Sequence, residues 1–237
     1  MRKNPEISVI VPSMNEEKYI SKLFKGLKAQ SFRNFETIVV DTNSTDRTRS
    51  IARQNSAKVV IEKRKGIGRA RNAGAKVASG KILVFLDADT VPSKSLLKQY
   101  HDAFKNNNII AATGPIFPLE ATSRKLRIGY KVVSVYLVKS SIAIGRPRIV
   151  GSNFAVKKEV FNRVGGFNPR YATYEDWDLS LRLGKEGKTK FINNAVVYAS
   201  VRRVNEWGML GYFTYHTSNM LRYNLMKKPK KKYEPIR

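Results

Sequence analysis

Two aspartates one residue apart close the apolar run in LVFLDADTVP, at positions 87 and 89. On an extended strand, side chains at i and i+2 share a face, so Asp87 and Asp89 would project together just past the strand's end. Like charges that close repel unless a cation lies between them. Mg2+ and Mn2+ are the matching ions, because hard divalent cations take oxygen ligands and are often held by one or two carboxylates together with substrate phosphates. A plain strand-end turn is the alternative, since Asp, Thr and Pro are turn formers. The tripeptide alone does not separate the two.

The elements that must position these residues follow from the hydrophobic pattern. Strand-like runs at 7–11, 35–41, 57–62 and 81–87 alternate with helical spacing from Asn15, in STDRTRSIARQNS and in IGRARNAGAKVAS. Such alternation predicts right-handed crossovers and an α/β fold with a mostly parallel sheet, whose ligands sit at the carboxyl ends of the strands. Pro12 to Glu17, Asp41 with Asp46, and Asp87 with Asp89 would then converge on one crevice. Asn43 and Asp46 also fit a helix capping box, and the cap is the favoured role for Asp46. GIGRARNAG at 66–74 looks like a dinucleotide fingerprint, but Arg71 stands at the third glycine position and no apolar strand leads directly into Gly66. Its glycines are expected to let the backbone pass close to a ligand, with Arg69 and Arg71 offering charge to phosphate; a solvated basic helix face is the alternative.

The 237 residues, 42% of them hydrophobic, suffice for one large domain or two small ones. Lys and Arg number 45 against 18 Asp and Glu, a net charge of +27, which predicts attraction to nucleic acid, an anionic membrane surface or phosphorylated substrates. Without cysteine there is no disulfide framework and no thiolate nucleophile, and two histidines cannot build the usual zinc cluster without carboxylate help. The longest uncharged stretch, 207–221, is too short and too polar to span a membrane. MRKNPEISVIVPS does not resemble a secretory signal, so the expected location is cytoplasmic.

Taken in order, PSMNEE, VVDTNSTD, GRARNAGAKVASGKILVFLDAD, GSNFAVKKEVFNRVGGF and YEDWDLSLRL resemble the inverting, metal-dependent GT-A fold glycosyltransferases of family 2. The resemblance implies a GT-A (nucleotide-diphospho-sugar transferase) fold, a mostly parallel central sheet flanked by helices. Residues 1–204 would form the catalytic domain, divided into a donor-binding half (1–92) and an acceptor-side half (93–204), and 205–237 a C-terminal amphipathic helix and basic tail. It implies sugar transfer from a nucleotide-diphospho-sugar, UDP-sugar favoured and GDP-sugar the alternative, with Mn2+ or Mg2+ as cofactor. Carried onto this chain, Pro12, Asn15 and Glu17 lie in the first donor loop, and Asp41 matches the aspartate that reads the base. Arg71 matches a donor-binding arginine. Asp87 and Asp89 are the D-x-D motif, with Asp89 the favoured metal ligand. Asp176 matches the catalytic base, although Thr173 and Asp176 also have capping-box spacing.

On the acceptor side stand Glu175, Trp177, Arg202 and Arg203; the core is the favoured place for Trp177. The apolar, sparsely basic segment 126–145 and the aromatic segment from Trp207 into the lysine cluster at 227–232 flank this half. Aromatics followed by lysines suit a membrane-surface anchor or, equally, a core helix with a solvated tail. The acceptor expected is lipid-linked, a polyprenyl phosphate or a glycan built on one, reached by an enzyme peripheral to the inner face of the cell membrane. A soluble glycan or small-molecule acceptor is the alternative. A nucleic-acid-binding protein is the rival from another class, but it rests on charge alone and leaves the acidic strand ends unexplained, so nucleic acid is not the expected partner.

Overall fold

The computed structural model describes residues 4–120 and 122–226. Its first part is a run of parallel strands joined by helices: β1 (Ile7–Ser13), α1 (Glu17–Lys28), β2 (Phe35–Asp41), α2 (Thr48–Gln54), β3 (Lys58–Ile61), α3 (Ile67–Val77) and β4 (Ile82–Leu86). Next come β5 (Thr90–Pro92), α4 (Leu96–Phe104), β6 (Ile109–Thr113), β7 (Ile116–Pro118) and α5 (Arg124–Lys131). A π-helical turn (Val132–Leu137) carries α5 into α6 (Val138–Ala143). The chain ends with β8 (Asn153–Lys157), α7 (Lys158–Arg163), α8 (Glu175–Leu183), β9 (Lys188–Phe191), β10 (Val197–Ala199) and α9 (Arg202–Met226).

Seven strands form one sheet in the order β3-β2-β1-β4-β8-β6-β9, parallel except where β8 runs against β4 and β6; β5, β10 and β7 form a small second sheet. β1 and β4 are apolar almost throughout because helices cover both faces. On one face Leu23, Phe24, Leu97 and Tyr100 of α1 and α4 pack on Val9 and Val84. On the other, Ala70, Phe161 and Leu179 pack on Ile10 and Phe85, with Phe154 stacked on Phe85 at 4.7 Å. After β3 the chain crosses over β1 to lay down β4 on its far side, so loops diverge there and leave a crevice at the carboxyl ends.

Three expectations are revised. Two of the three glycines of 66–74 serve packing: a Cβ at Gly74 would lie 2.5 Å from Ile10 Cγ2, and one at Gly68 3.2 Å from Phe167 Cβ, so their absence lets α3 lie close to the sheet and to the loop before α8. The strand that leads to the aspartates stops at Leu86. Asp87 then begins a tight turn, its carbonyl accepting from Thr90 N (3.2 Å) and Thr90 Oγ1 (2.7 Å), which joins the two sheets. Finally, the last helix starts at Arg202, ahead of the boundary expected at 205, and breaks at Gly208, where φ is 71°. The basic tail, 227–237, lies outside the described residues. Among those described, no helix is long and apolar enough to cross a membrane.

Candidate active site

The ends of β1 and β2 are fastened to each other. Asn15 and Asn43 adopt left-handed conformations (φ 54° and 60°), which Asn tolerates better than most residues. Asn15 Oδ1 accepts from Thr45 N (2.8 Å), and Asn15 N donates to Ser44 Oγ (2.9 Å). Asp46 does act as a cap, accepting from Thr48 N and Glu17 N at 3.0 Å each, and so serves the starts of both α2 and α1. Asn43 is not its capping-box partner, because its amide donates to Lys63 O (3.3 Å). Asp41 is buried at the end of β2, where Oδ1 accepts from Ser44 N and pairs with Arg49 Nε, both at 3.1 Å. Its Oδ2 is buried without a hydrogen-bond partner, a position that native structures rarely leave unexplained.

A second group is built around Arg71, only 2% exposed. Its Nη2 donates to Asp87 Oδ1 (2.9 Å) and its Nη1 to Glu175 Oε1 (2.8 Å), so the guanidinium ties α3 to the end of β4 and the start of α8. Gly151 makes room for it: a Cβ there would lie 2.7 Å from Nη1. Two protein carboxylates thus hold the guanidinium that the motif assigns to donor binding, and it still lines the cavity described below. Burial pushes the Glu175 carboxyl up to about 7, helped by the neighbouring Asp176 and opposed by Arg71. Removing one member of a buried ion pair strands the other, a loss of about 3–5 kcal/mol. Arg71→Ala is accordingly expected to lower the thermal midpoint by roughly 6–20 °C in unfolding scans. Arg71→Lys should recover little of it, since an ammonium lacks the fork that reaches two carboxylates.

Asp89 belongs to a third group. Its Oδ2 lies 3.1 Å from Arg202 Nη2, and Arg202 also grips Glu16 through both nitrogens (2.9 and 2.6 Å) with its guanidinium 4.8 Å above the Tyr19 ring. Glu16, and not Glu17, thus faces the aspartates; the Glu17 carboxylate turns to the exposed Arg47 (3.2 Å). Burial and the charge of Asp87 push the Asp89 carboxyl up to about 7, with Arg202 pulling the other way. Two carboxylates in such conflict, offering oxygen alone, fit a hard divalent cation. Among the described residues no three His, Cys, Asp or Glu side chains are grouped to cage a metal, so a cation held here would need further oxygens from its ligand.

The fourth group opens α8. Tyr174 takes a left-handed conformation (φ 63°). Asp176 follows, its Oδ2 accepting from Gly151 N (2.9 Å) and its Oδ1 from Trp177 N (2.8 Å). The Thr173–Asp176 capping box is not formed; Thr173 Oγ1 accepts from Asn219 Nδ2 instead (2.9 Å). Trp177 is not in the core either: half-buried, it lines a cavity with the Arg148 guanidinium 4.5 Å over its ring. That cavity, about 410 Å³, is bounded by Arg71, Asp87, Ser152, Asp176, Trp177 and Arg203. A smaller lobe of about 180 Å³ reaches Asp89, between Tyr130, Ser134 and Tyr212. Asp87, Val133 and Arg203 line both.

The expected residues therefore fall into two neighbourhoods. Asp87, Asp89, Arg71, Glu175, Asp176, Trp177 and Arg203 surround the cavity and its lobe. Pro12, Asn15, Glu17 and Asp41 line neither and stand along the ends of β1 and β2, with the Glu16–Arg202 pair joining that group to Asp89. Sequence reasoning missed Glu16 and Arg148. The only signal for Glu16 was the double glutamate in PSMNEE, and Arg148 carried none.

Sheet order and crevice together are those of the GT-A fold. The chain superposes on Staphylococcus aureus TarS 1–349 in complex with UDP-GlcNAc with a TM-score of 0.67, at 22% identity, covering 83% of this chain and 59% of that one. On the Pyrobaculum calidifontis mannosyltransferase PcManGT in complex with GDP-Man and Mn2+ the TM-score is 0.70, at 21% identity, covering 97% and 66%. The chain belongs to glycosyl transferase family 2, whose model matches residues 8–165. It is 30% identical over 200 residues to an uncharacterised glycosyltransferase of Haemophilus influenzae, covering 76% of this chain and 62% of the relative. It is 32% identical over 174 residues to the dolichol-phosphate mannosyltransferase of Pyrococcus furiosus, covering 67% and 48%. The chain spans about half to two thirds of the length of the curated relatives it matches.

Proposed function

We propose that this chain transfers a sugar, with inversion, from a nucleotide-diphospho-sugar to a lipid-linked or polyprenyl-phosphate acceptor at a membrane surface. The observation that carries the reading is that Asp87 and Asp176 line one cavity, with Asp89 in its adjoining lobe. Residues 1–92 would hold the donor and 93–204 present the acceptor. In the donor half, Pro12, Asn15 and Glu17 shape the loop beside the nucleotide, and the unpartnered Oδ2 of Asp41 accepts the imide N–H of the base. Uracil offers that imide N–H at N3 and guanine a comparable lactam N–H at N1; UDP-sugar remains the favoured donor and GDP-sugar the alternative.

Asp89 and Asp87 would hold Mn2+ or Mg2+, which when bound supplies positive charge to the leaving nucleoside diphosphate. Arg71, at the cavity wall, would contribute to donor binding while keeping Asp87 oriented. On the acceptor side, Arg202 and Arg203 would meet phosphate oxygens of the donor or acceptor, Arg202 by leaving Asp89 to the cation. Asp176 takes the proton of an acceptor hydroxyl, its orientation fixed by the Gly151 N–H. Glu175 supports it through Arg71, and Trp177 with Arg148 frames the acceptor. A soluble acceptor is the second reading, supported by the likeness to a glucosyl-3-phosphoglycerate synthase solved with phosphoglyceric acid.

The test is a thermal-unfolding screen of UDP, GDP, dTDP and their common sugars, each with and without Mn2+. A ligand at about a hundred times its Kd stabilises by roughly 2.7 kcal/mol, a midpoint shift of about 5–10 °C for a chain of this size. One nucleotide series is expected to shift the midpoint only with metal. A shift by short RNA or DNA and by no nucleotide would overturn the reading.

A further inference from the structure

The helix running from α5 through the π-helical turn into α6 has one side seated and one side bare. Leu126, Ser134, Val135 and Val138 are buried, and Ser134 Oγ donates to Ile116 O (2.8 Å). On the other side Ile128 is 52% exposed, Val132 42%, Val133 38%, Tyr136 53% and Leu137 48%, and Ile144, just past α6, is 73% exposed. Single exposed apolar residues are ordinary, but a continuous row on one helix marks a contact surface. Val132, Val133, Tyr136 and Leu137 form two pairs four residues apart and so share one side of the helix, while Ser134, Val135 and Val138 share the buried side.

The charge around this row is of one sign. Positions 124–148 hold seven Lys and Arg and no Asp or Glu. Arg124, Lys125, Arg127, Lys131, Lys139 and Arg146 are all exposed. A second copy of the chain docking by the same face would set these cations against each other. An apolar row flanked by lysine and arginine instead matches an anionic bilayer, whose acyl boundary takes the apolar side chains and whose headgroups take the cations.

We propose that this helix, rather than the C-terminal tail alone, is where the enzyme meets an anionic membrane, lying in the headgroup plane with Ile128, Val132, Tyr136, Leu137 and Ile144 turned to the acyl chains. Val133 and Leu137 also line the cavity that holds Asp87 and Asp176, so the bare side of the helix leads from the lipid into the site. An acceptor carried on a lipid would reach the cavity along this side without leaving the bilayer. That use of the contact rests on the lipid-linked acceptor reading; the contact itself does not.

The experiment is co-sedimentation of the full chain with phosphatidylcholine vesicles with and without phosphatidylglycerol. It compares wild type, Ile128→Ser/Tyr136→Ser/Ile144→Ser, and a chain lacking 227–237. None of the three substituted residues lines the cavity or its lobe. Wild type is expected to sediment with the anionic vesicles and the triple variant at least about tenfold less, with its nucleotide- and metal-dependent thermal shift unchanged. Independently, Tyr136→Trp should gain fluorescence that brominated acyl chains quench, above the background of Trp177 and Trp207. Wild-type affinity in the triple variant, loss confined to the tail deletion, absence of vesicle binding by wild type, or a wild-type dimer in sedimentation velocity that the triple variant abolishes would each overturn the proposal. Absence of any nucleotide shift in wild type would overturn the transferase reading and leave this contact standing.

Discussion

Asp89→Ala is expected to remove the metal-dependent stabilisation by nucleotide entirely and to lower transfer by about a thousandfold or more. The leaving nucleoside diphosphate gains negative charge as the sugar bond breaks, and a charge-stabilising group aimed at such a site is worth about 10² to 10³ in rate even when it is a single hydrogen-bond donor. A divalent cation would be a stronger partner, and Asp89, which lines the cavity lobe, is the residue proposed to hold it. The same substitution should cost the apo protein little stability. Arg202 keeps its two bonds to Glu16, so no buried charge is left unpaired, and the repulsion between Asp87 and Asp89 disappears. Thermal scans with and without Mn2+ and nucleotide separate the two effects. If the metal-dependent shift survives in Asp89→Ala, the cation is held elsewhere.

Asp176→Asn should divide acceptors by chemistry. Toward a sugar hydroxyl, loss of the general base is expected to lower turnover by about 10² to 10⁴, with nucleotide binding intact. Toward a phosphate acceptor the loss should be small, since a phosphate is already ionised near neutral pH and brings its own nucleophilic oxygen. The variant should still fold: an asparagine oxygen can accept from one of the two backbone N–H groups that Asp176 now serves, from Gly151 and Trp177. Leaving the other unmet costs roughly 1–3 kcal/mol. Steady-state rates on the two acceptor types, read beside the nucleotide-dependent thermal shift, give the answer. Full activity with a hydroxyl acceptor would end the assignment of Asp176 as base.

What the order of residues determined by itself was the parallel α/β framework and the family to which the chain belongs. FETIVVD is the strand β2 to the residue, and the runs ending near Pro12 and Asp87 are β1 and β4, because strands covered on both faces must be apolar throughout and local patterning records that. The turn at Asp87 was open as an alternative and a capping role for Asp46 was legible, though not its partner, because hydrogen bonds within a few residues leave a local signature. The ordered motifs likewise implied the family that the match over residues 8–165 establishes.

Only the tertiary structure decided which charges meet. Arg71 and Glu175 are 104 positions apart and Arg202 and Glu16 are 186 apart, so nothing near either residue encodes its partner. Whether Glu16 or Glu17 faces Asp89 depends on how α1 leaves the β1 loop, a matter of a single residue's rotation. The segment 126–145 makes the point most sharply. Its apolar residues would read the same in a core helix, and only the packing of Leu126, Ser134 and Val138 against the body of the protein shows which of the others are left bare. A sequence states how much apolar surface a helix has, but which side finds a partner is settled by the chain that folds around it.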